Sequence, residues 1–267
     1  MQLCAVILDA YSAPPTEKLA ILFQAVCGWP RTDAMTRAAR ARGIVAERLP
    51  HITAQRLQEA LQNLGFSAAV IDQRNVLPKV RARRVQLLLP EREQLGVRWT
   101  LTAKPQWYRW ADVAVVSAGV VFHEDREQVI ETEAVEHLWP RHAMELRTEI
   151  KHRDTSRDIA MATISLGSSL ANMEHLRIRA PEVEYSTVFG EASRPSALEN
   201  FCLLLARVGL GASQALITPE TVELISAANA SPRLPKEPRF ASETDFDDYQ
   251  RWLLVRHAIT QSGPIVP

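Results

Sequence analysis

Thr53-Ala-Gln-Arg-Leu57-Gln-Glu-Ala-Leu61-Gln-Asn-Leu64-Gly65-Phe66 is the stretch on which the fold turns. Leu57, Leu61 and Leu64 recur at helical spacing, Thr53 reads as an N-cap, and Gly65 supplies the stop after which a strand, Phe66 to Asp72, returns. Working outward, the apolar run Cys4-Ala-Val-Ile-Leu8 lies within a strand predicted from Leu3 to Tyr11. Its unbroken hydrophobicity is that of a central strand buried on both faces. Leu19, Leu22, Phe23 and Val26 place a helix over Thr16 to Gly28. A second helix is expected from Thr32 to Gly43 and a strand from Ile44 to Leu49. The β-α-α-β-α-β order is that of a small α+β unit with helices over one face of a sheet. Leu77-Pro78 closes it, giving a first domain of residues 1–78.

Residues 79–260 read as a second, β-rich domain capped by helices, with 261–267 as a tail. Strands are expected at Val85 to Leu89 and at Gly96 to Ala103, the latter with Val97, Trp99 and Leu101 on one face. Trp110 to Val121 reads as two short strands or one bent strand. His123 to Pro140 is polar and acidic, and reads as an insertion with a helical turn from Glu131 to Leu138. Met144 to His152 alternates Met, Leu, Thr and Ile with charges, the period of a half-buried strand. Ala162 to Leu170 reads as a further strand. Leu176-Arg-Ile178 and Val183 to Phe189 read as a hairpin with Pro181 in its turn. Helices are expected at Ser196 to Val208, Thr218 to Ala228 and Thr244 to His257. The proline-rich stretch Ser231 to Pro238 is a connector.

Basic and acidic residues balance at 31 each, which argues against a general nucleic-acid or membrane-surface binder. The balance is local in sequence: Lys79 to His123 holds eight basic and three acidic residues, and Glu124 to Thr155 five basic and nine acidic. Cys4, Cys27 and Cys202 are scattered and show no metal or disulfide spacing. No stretch approaches the roughly twenty apolar residues of a membrane span, and the start lacks a secretory pattern. A cytoplasmic location is the expectation.

The run Ile52 to Phe66 and the element order around it resemble the fold shared by the C-terminal domain of ribosomal protein L7/L12 and the ClpS protease adaptor. From Trp110-Ala-Asp-Val113 and the strand-rich body closed by a helix, the second part is similar to pleckstrin-homology-like modules. A two-part, arginine-rich chain of this size without a catalytic signature also resembles the peptide-binding proteins of crocagin biosynthesis in bacteria. That resemblance implies a peptide ligand, partner enzymes that modify a precursor peptide, and no cofactor.

Signatures of chemistry are weak throughout. Among His123, His137, His142 and His152, with Glu133 and Glu136 nearby, the 137-to-142 spacing does not put two histidines on one helix face, so no metal site is expected. Gly209-Leu-Gly211 follows a helix instead of a strand and reads as a helix-terminating turn, so no dinucleotide loop is expected. Leu166-Gly-Ser-Ser-Leu170 lacks the second glycine of a nucleophile elbow.

Trp99, Trp107, Tyr108 and Trp110, interleaved with Arg98, Lys104 and Arg109, suit recognition of a peptide or a single-stranded nucleic acid by burial and stacking. Trp99 and Trp110 read as sheet packing. Trp107 and Tyr108, just after Pro105, stay open between packing and contact.

The expectation is therefore a non-catalytic peptide- or protein-binding adaptor using Arg98, Lys104, Trp107, Tyr108 and Arg109. The alternatives are a hydrolase whose histidines, His123 or His142, assemble from distant positions, and a structural subunit or homo-oligomer.

Overall fold

The computed structural model describes residues 2–12, 14–75, 80–136, 144–167, 170–230 and 239–262. The chain is mixed α+β. Its opening unit runs β1 (Leu3–Leu8), α1 (Thr16–Cys27), α2 (Arg31–Arg40), β2 (Ile44–Pro50), α3 (His51–Asn63) and β3 (Ala68–Asp72). The order matches the sequence reading, and most helix and strand ends fall within about two residues of the expected bounds. The sheet order is β2-β1-β3, with β1 antiparallel to both neighbours: Val6 stands opposite Ala46 on one side and Val70 on the other. Gly28 closes α1 in the left-handed region (φ 69°), its N–H donating to the Gln24 carbonyl, a conformation glycine adopts without side-chain penalty.

Alternation along β1 sends Cys4, Val6 and Leu8 one way and Ala5 and Ile7 the other. The first set packs under Leu19 and Phe23 of α1, Ala34 and Ala38 of α2, and Leu57 and Leu61 of α3. The second set packs with Ile71 against Val255 and Ile259. These last two belong to the final helix of the chain, so the continuous apolar run of β1 is covered from both sides, once by local and once by remote sequence.

The remainder continues with β4 (Ala82–Arg84), β5 (Leu87–Pro90), β6 (Gln94–Arg98), β7 (Gln106–Arg109), β8 (Val113–Glu136), β9 (Met144–Leu166) and β10 (Glu174–Arg179). Then come α4 (Ser186–Phe189), α5 (Ala197–Gly211), β11 (Leu216–Ile217), α6 (Pro219–Ala230), β12 (Arg239–Phe240) and α7 (Glu243–Ser262). Strands β11, β8, β9, β10 and β4 form one sheet in that order, with β12 also pairing β8. Strands β5, β6 and β7 form a separate three-stranded meander. Even-numbered Val116, Ala118 and Val120 of β8 join Phe201, Leu204, Val208 and Leu224 of α5 and α6 in one core. Odd-numbered Val115 and Val121 face the other way, toward Phe246, Tyr249 and Leu254 of α7. Helix α7 is thus sandwiched between the opening sheet and the six-stranded sheet.

Several expectations are corrected. The helical turn predicted from Glu131 to Leu138 is strand as far as Glu136, with residues 137 and 138 outside the described set. An acidic composition hid a period-two pattern that finds its partner in β9, where Ile130 stands opposite Ile150 and Glu133 opposite Arg147. Trp110 to Val121 is not split into two strands: a 3-10 turn over Trp110–Asp112 leads into a single β8 of 24 residues, whose pairing with β9 shifts register between Val113 and Val115. The hairpin around Pro181 is absent, because Ala180–Glu182 forms a 3-10 turn with proline near its start and the chain goes on into α4. The strand predicted to Ala103 ends at Arg98, where Ala103 donates back to Thr100 and closes a turn. Gly209 and Gly211 lie inside α5, which runs three residues past the end expected at Val208. Gly211 gives the Trp110 ring room to lie against the helix. The connector 231–238 lies outside the described residues.

Candidate functional site

The meander β5-β6-β7 carries the aromatic and basic residues singled out by the sequence. In its register, Gly96 stands opposite Trp107, Leu95 opposite Tyr108 and Gln94 opposite Arg109. Trp107 and Tyr108, being neighbours on one strand, project to opposite faces. The Trp107 ring lies over Gly96, where an added methyl would sit 2.6 Å from ring carbon, so the missing side chain of Gly96 is what seats the indole. Even so, Trp107 keeps 39% of its surface exposed.

Tyr108 turns inward instead. Its hydroxyl donates to Glu174 Oε2 at 2.7 Å, and the Arg83 guanidinium donates to the other oxygen of that carboxylate at 3.2 Å. Arg83 in turn lies 3.7 Å from the centre of the Trp99 ring. This chain of contacts fastens the meander to β4 and β10. Burial, and then the bond to Glu174, push the Tyr108 phenol above its ordinary range. Tyr108 and Trp99 therefore position the strand, and Trp107 is the aromatic left at the surface.

Lys104 is exposed. Arg109 grips Asp112 through two bonds, Nη2 to Oδ1 at 2.7 Å and Nε to Oδ2 at 3.1 Å, while 80% of its side chain stays exposed. Its guanidinium holds the Asp112 carboxyl below the usual carboxylate range. Arg98 is half-buried and donates to the Leu101 carbonyl at 3.4 Å, bracing the turn after β6. Trp110 is core, with its indole N–H donating to the Glu91 carbonyl at 3.0 Å.

Strand β7 is an edge: among the described residues, only β6 pairs with it. The Arg109 N–H is taken by the Asp112 carboxylate, so Arg109 and Gln94 form a non-hydrogen-bonded pair. Alternation then aims the Trp107 N–H and C=O away from β6, toward the open side. The arrangement offers main-chain donor and acceptor groups, a flat indole beside them, and cations at both ends of the strand.

A second polar assembly lies between α7 and the large sheet, and the sequence reading did not single it out. Arg177 and Arg179 of β10 keep only 6% and 5% of their side chains exposed. Arg177 bonds Asp247 and reaches Thr163 Oγ1 at 3.1 Å; Arg179 bonds Glu243 and, at 2.9 Å, Glu182. His123 Nδ1 lies 3.2 Å from Glu243. The signal in the sequence was a pair of matched stripes, with His175, Arg177 and Arg179 alternating on a strand and Glu243, Asp247 and Gln250 recurring along a helix.

Ser165 Oγ and His175 Nδ1 lie 2.9 Å apart, the spacing of a nucleophile and its base, with Ser165 fully buried. Among the described residues, no group of three His, Cys, Asp or Glu side chains converges as metal ligands, and no helix is long and apolar enough to cross a membrane. His137 and His142 lie outside the described residues.

Burial first, and then the Arg177 charge, lower the affinity of His175 for a proton, opposed by Asp247 and Glu174. The folded chain therefore holds a neutral imidazole that the unfolded chain would protonate below about pH 6.5. His175 contributes stability that is present above that pH and is lost as pH falls through its folded value. Urea midpoints measured from pH 7.5 down to pH 5 are expected to fall, and to fall less steeply in His175→Gln. Equal slopes would remove the assignment.

Compared with protein-family models, curated proteins and solved structures, the chain finds no match.

Proposed function

We propose that the chain is a non-catalytic adaptor that takes up an extended peptide along the outer edge of β7. The carrying observation is the open edge at Trp107, where main-chain groups that no strand pairs among the described residues adjoin an indole seated on Gly96. An added strand would gain affinity from the main chain and selectivity from the side chains that flank it. Lys104 and Arg109, with Arg98 behind the turn, favour a peptide with acidic residues. In this reading the ligand is a precursor peptide held for partner enzymes, and the protein itself supplies no cofactor and no reacting group.

Calorimetry with short acidic peptides, including any encoded beside this chain's gene, tests the reading. Trp107→Ala is expected to weaken the best of them by about 30-fold, the loss of one aromatic hot spot of roughly 2 kcal/mol. Binding that survives Trp107→Ala unchanged, or no binding by any peptide, would discard it.

A further inference from the structure

The ladder between β8 and β9 runs far past the rest of their sheet. On the outer side of β9, pairing with β10 ends at Met161 opposite Arg179. On the outer side of β8, pairing with β12 ends at Val121. From there to Glu136 and Met144 the two strands pair with each other, and among the described residues no third strand joins them. An isolated two-stranded ribbon is marginally stable in water, and this one sets Glu131 opposite Glu149, a like-charge pair that weakens it further.

The sequence of the outer edge supplies a remedy. Glu145-Leu-Arg147-Thr148-Glu149-Ile-Lys151 is complementary to itself when read in the antiparallel direction about Thr148. Glu145 then meets Lys151, Leu146 meets Ile150, and Arg147 meets Glu149, each twice by symmetry. A shift of the centre by one residue toward Glu149 sets Arg147 against Lys151. A shift the other way sets Glu145 against Glu149. Half-steps would place charged positions on the apolar face. The corresponding pairing of β8 about Thr132, which stands opposite Thr148, would set Glu131 against Glu133.

We propose that two copies of this chain join through the distal edge of β9, antiparallel about a two-fold axis at Thr148. The contact is isologous and closes on itself, so it stops at a dimer. It converts two marginal ribbons into one four-stranded sheet, keeps Leu146 and Ile150 on a shared face with Ile130 and Ala134, and places Arg147 of the second copy beside Glu149. At about 3.3 Å per residue, the stretch from Met161 to Thr148 spans roughly 40 Å. The dimer is therefore long, with its two bodies held well apart. This interface is independent of the β7 edge.

Glu149→Arg separates self-pairing from the ribbon's own stability. Within one chain it puts arginine opposite Glu131 and improves the ladder, whereas between copies it puts arginine opposite Arg147. Light scattering on the full-length chain is expected to show a dimer. Glu149→Arg is expected to raise its dissociation constant about 30-fold, from two unlike pairs turned into like ones. Arg147→Glu combined with Glu149→Arg restores the pairing and is expected to restore the dimer.

Thr148→Cys is expected to cross-link the two copies on mild oxidation. The natural thiols compete little: Cys4 and Cys202 are buried, and burial pushes the Cys27 thiol up to about 11. A monomeric wild-type chain, or one that only takes up a foreign peptide on this edge, would overturn the proposal. So would a dimer that tolerates Glu149→Arg and leaves Thr148→Cys uncross-linked.

Discussion

Replacing Trp252 with alanine is expected to cost about 3 kcal/mol of stability, toward the lower end of the range for removing a core aromatic because this indole is only partly buried. Trp252 lies on α7 and works on both sheets at once. Its indole N–H donates to the carbonyl of Leu8, the last residue of β1, at 2.9 Å. Its ring lies over Gly43, where an added methyl would sit 2.6 Å away, and beside Tyr11 and Tyr249 at 5.5 and 5.9 Å between ring centres.

Alanine would leave a hole, strip the Leu8 carbonyl of its partner and loosen the seam between α7 and the first sheet. Arg251 with Glu47, and Arg256 with Asp9, cross the same seam. They are partly exposed pairs of the kind worth little on their own. Urea unfolding followed by circular dichroism should show a lower midpoint in one cooperative transition. The same assay on Trp107→Ala is expected to lose about 1 kcal/mol or less, since that ring lies at an exposed edge. Equal losses at the two tryptophans would show that Trp107 belongs to the framework.

The second large effect concerns the charges under α7. Asp247→Ala is expected to cost about 3 kcal/mol, because it leaves the Arg177 guanidinium enclosed with only the more distant Glu243, at 3.9 Å, to balance it. The cost is that of a stranded charge, not the worth of the pair. Arg177→Met added to Asp247→Ala is therefore expected to recover most of the loss. Methionine fits a surround that already includes the Met161 sulfur at 3.3 Å and the Phe246 ring at 5.2 Å. A double variant as unstable as the single one would mean that the guanidinium supports the sheet by its bond to Thr163, and that its charge is incidental.

The opening unit was legible because its signals are local. Gly28 and Gly65 mark helix ends and the leucine spacing of α3 marks a buried face, so element order followed from neighbouring residues alone. The cover on the far side of β1 was not legible there, since Val255 and Ile259 announce nothing about which strand they will meet. The far half of β8 was lost for a different reason. That acidic half resembles a solvated insertion until it is aligned against β9, and pairing between strands is written in neither one singly. The pairing of Arg177 with Asp247 and of Arg179 with Glu243 was not legible either, because the partners sit 70 and 64 residues away. For the aromatic cluster, the face that each residue takes required the register of Gly96 against Trp107.

Helix α7 also sets a schedule. The carbonyl of Leu8 waits for an indole 244 positions downstream, which at ribosomal speeds is roughly 12 to 50 s of synthesis. Until then the first of the three sheets has one bare oily side, the face of Ala5, Ile7 and Ile71.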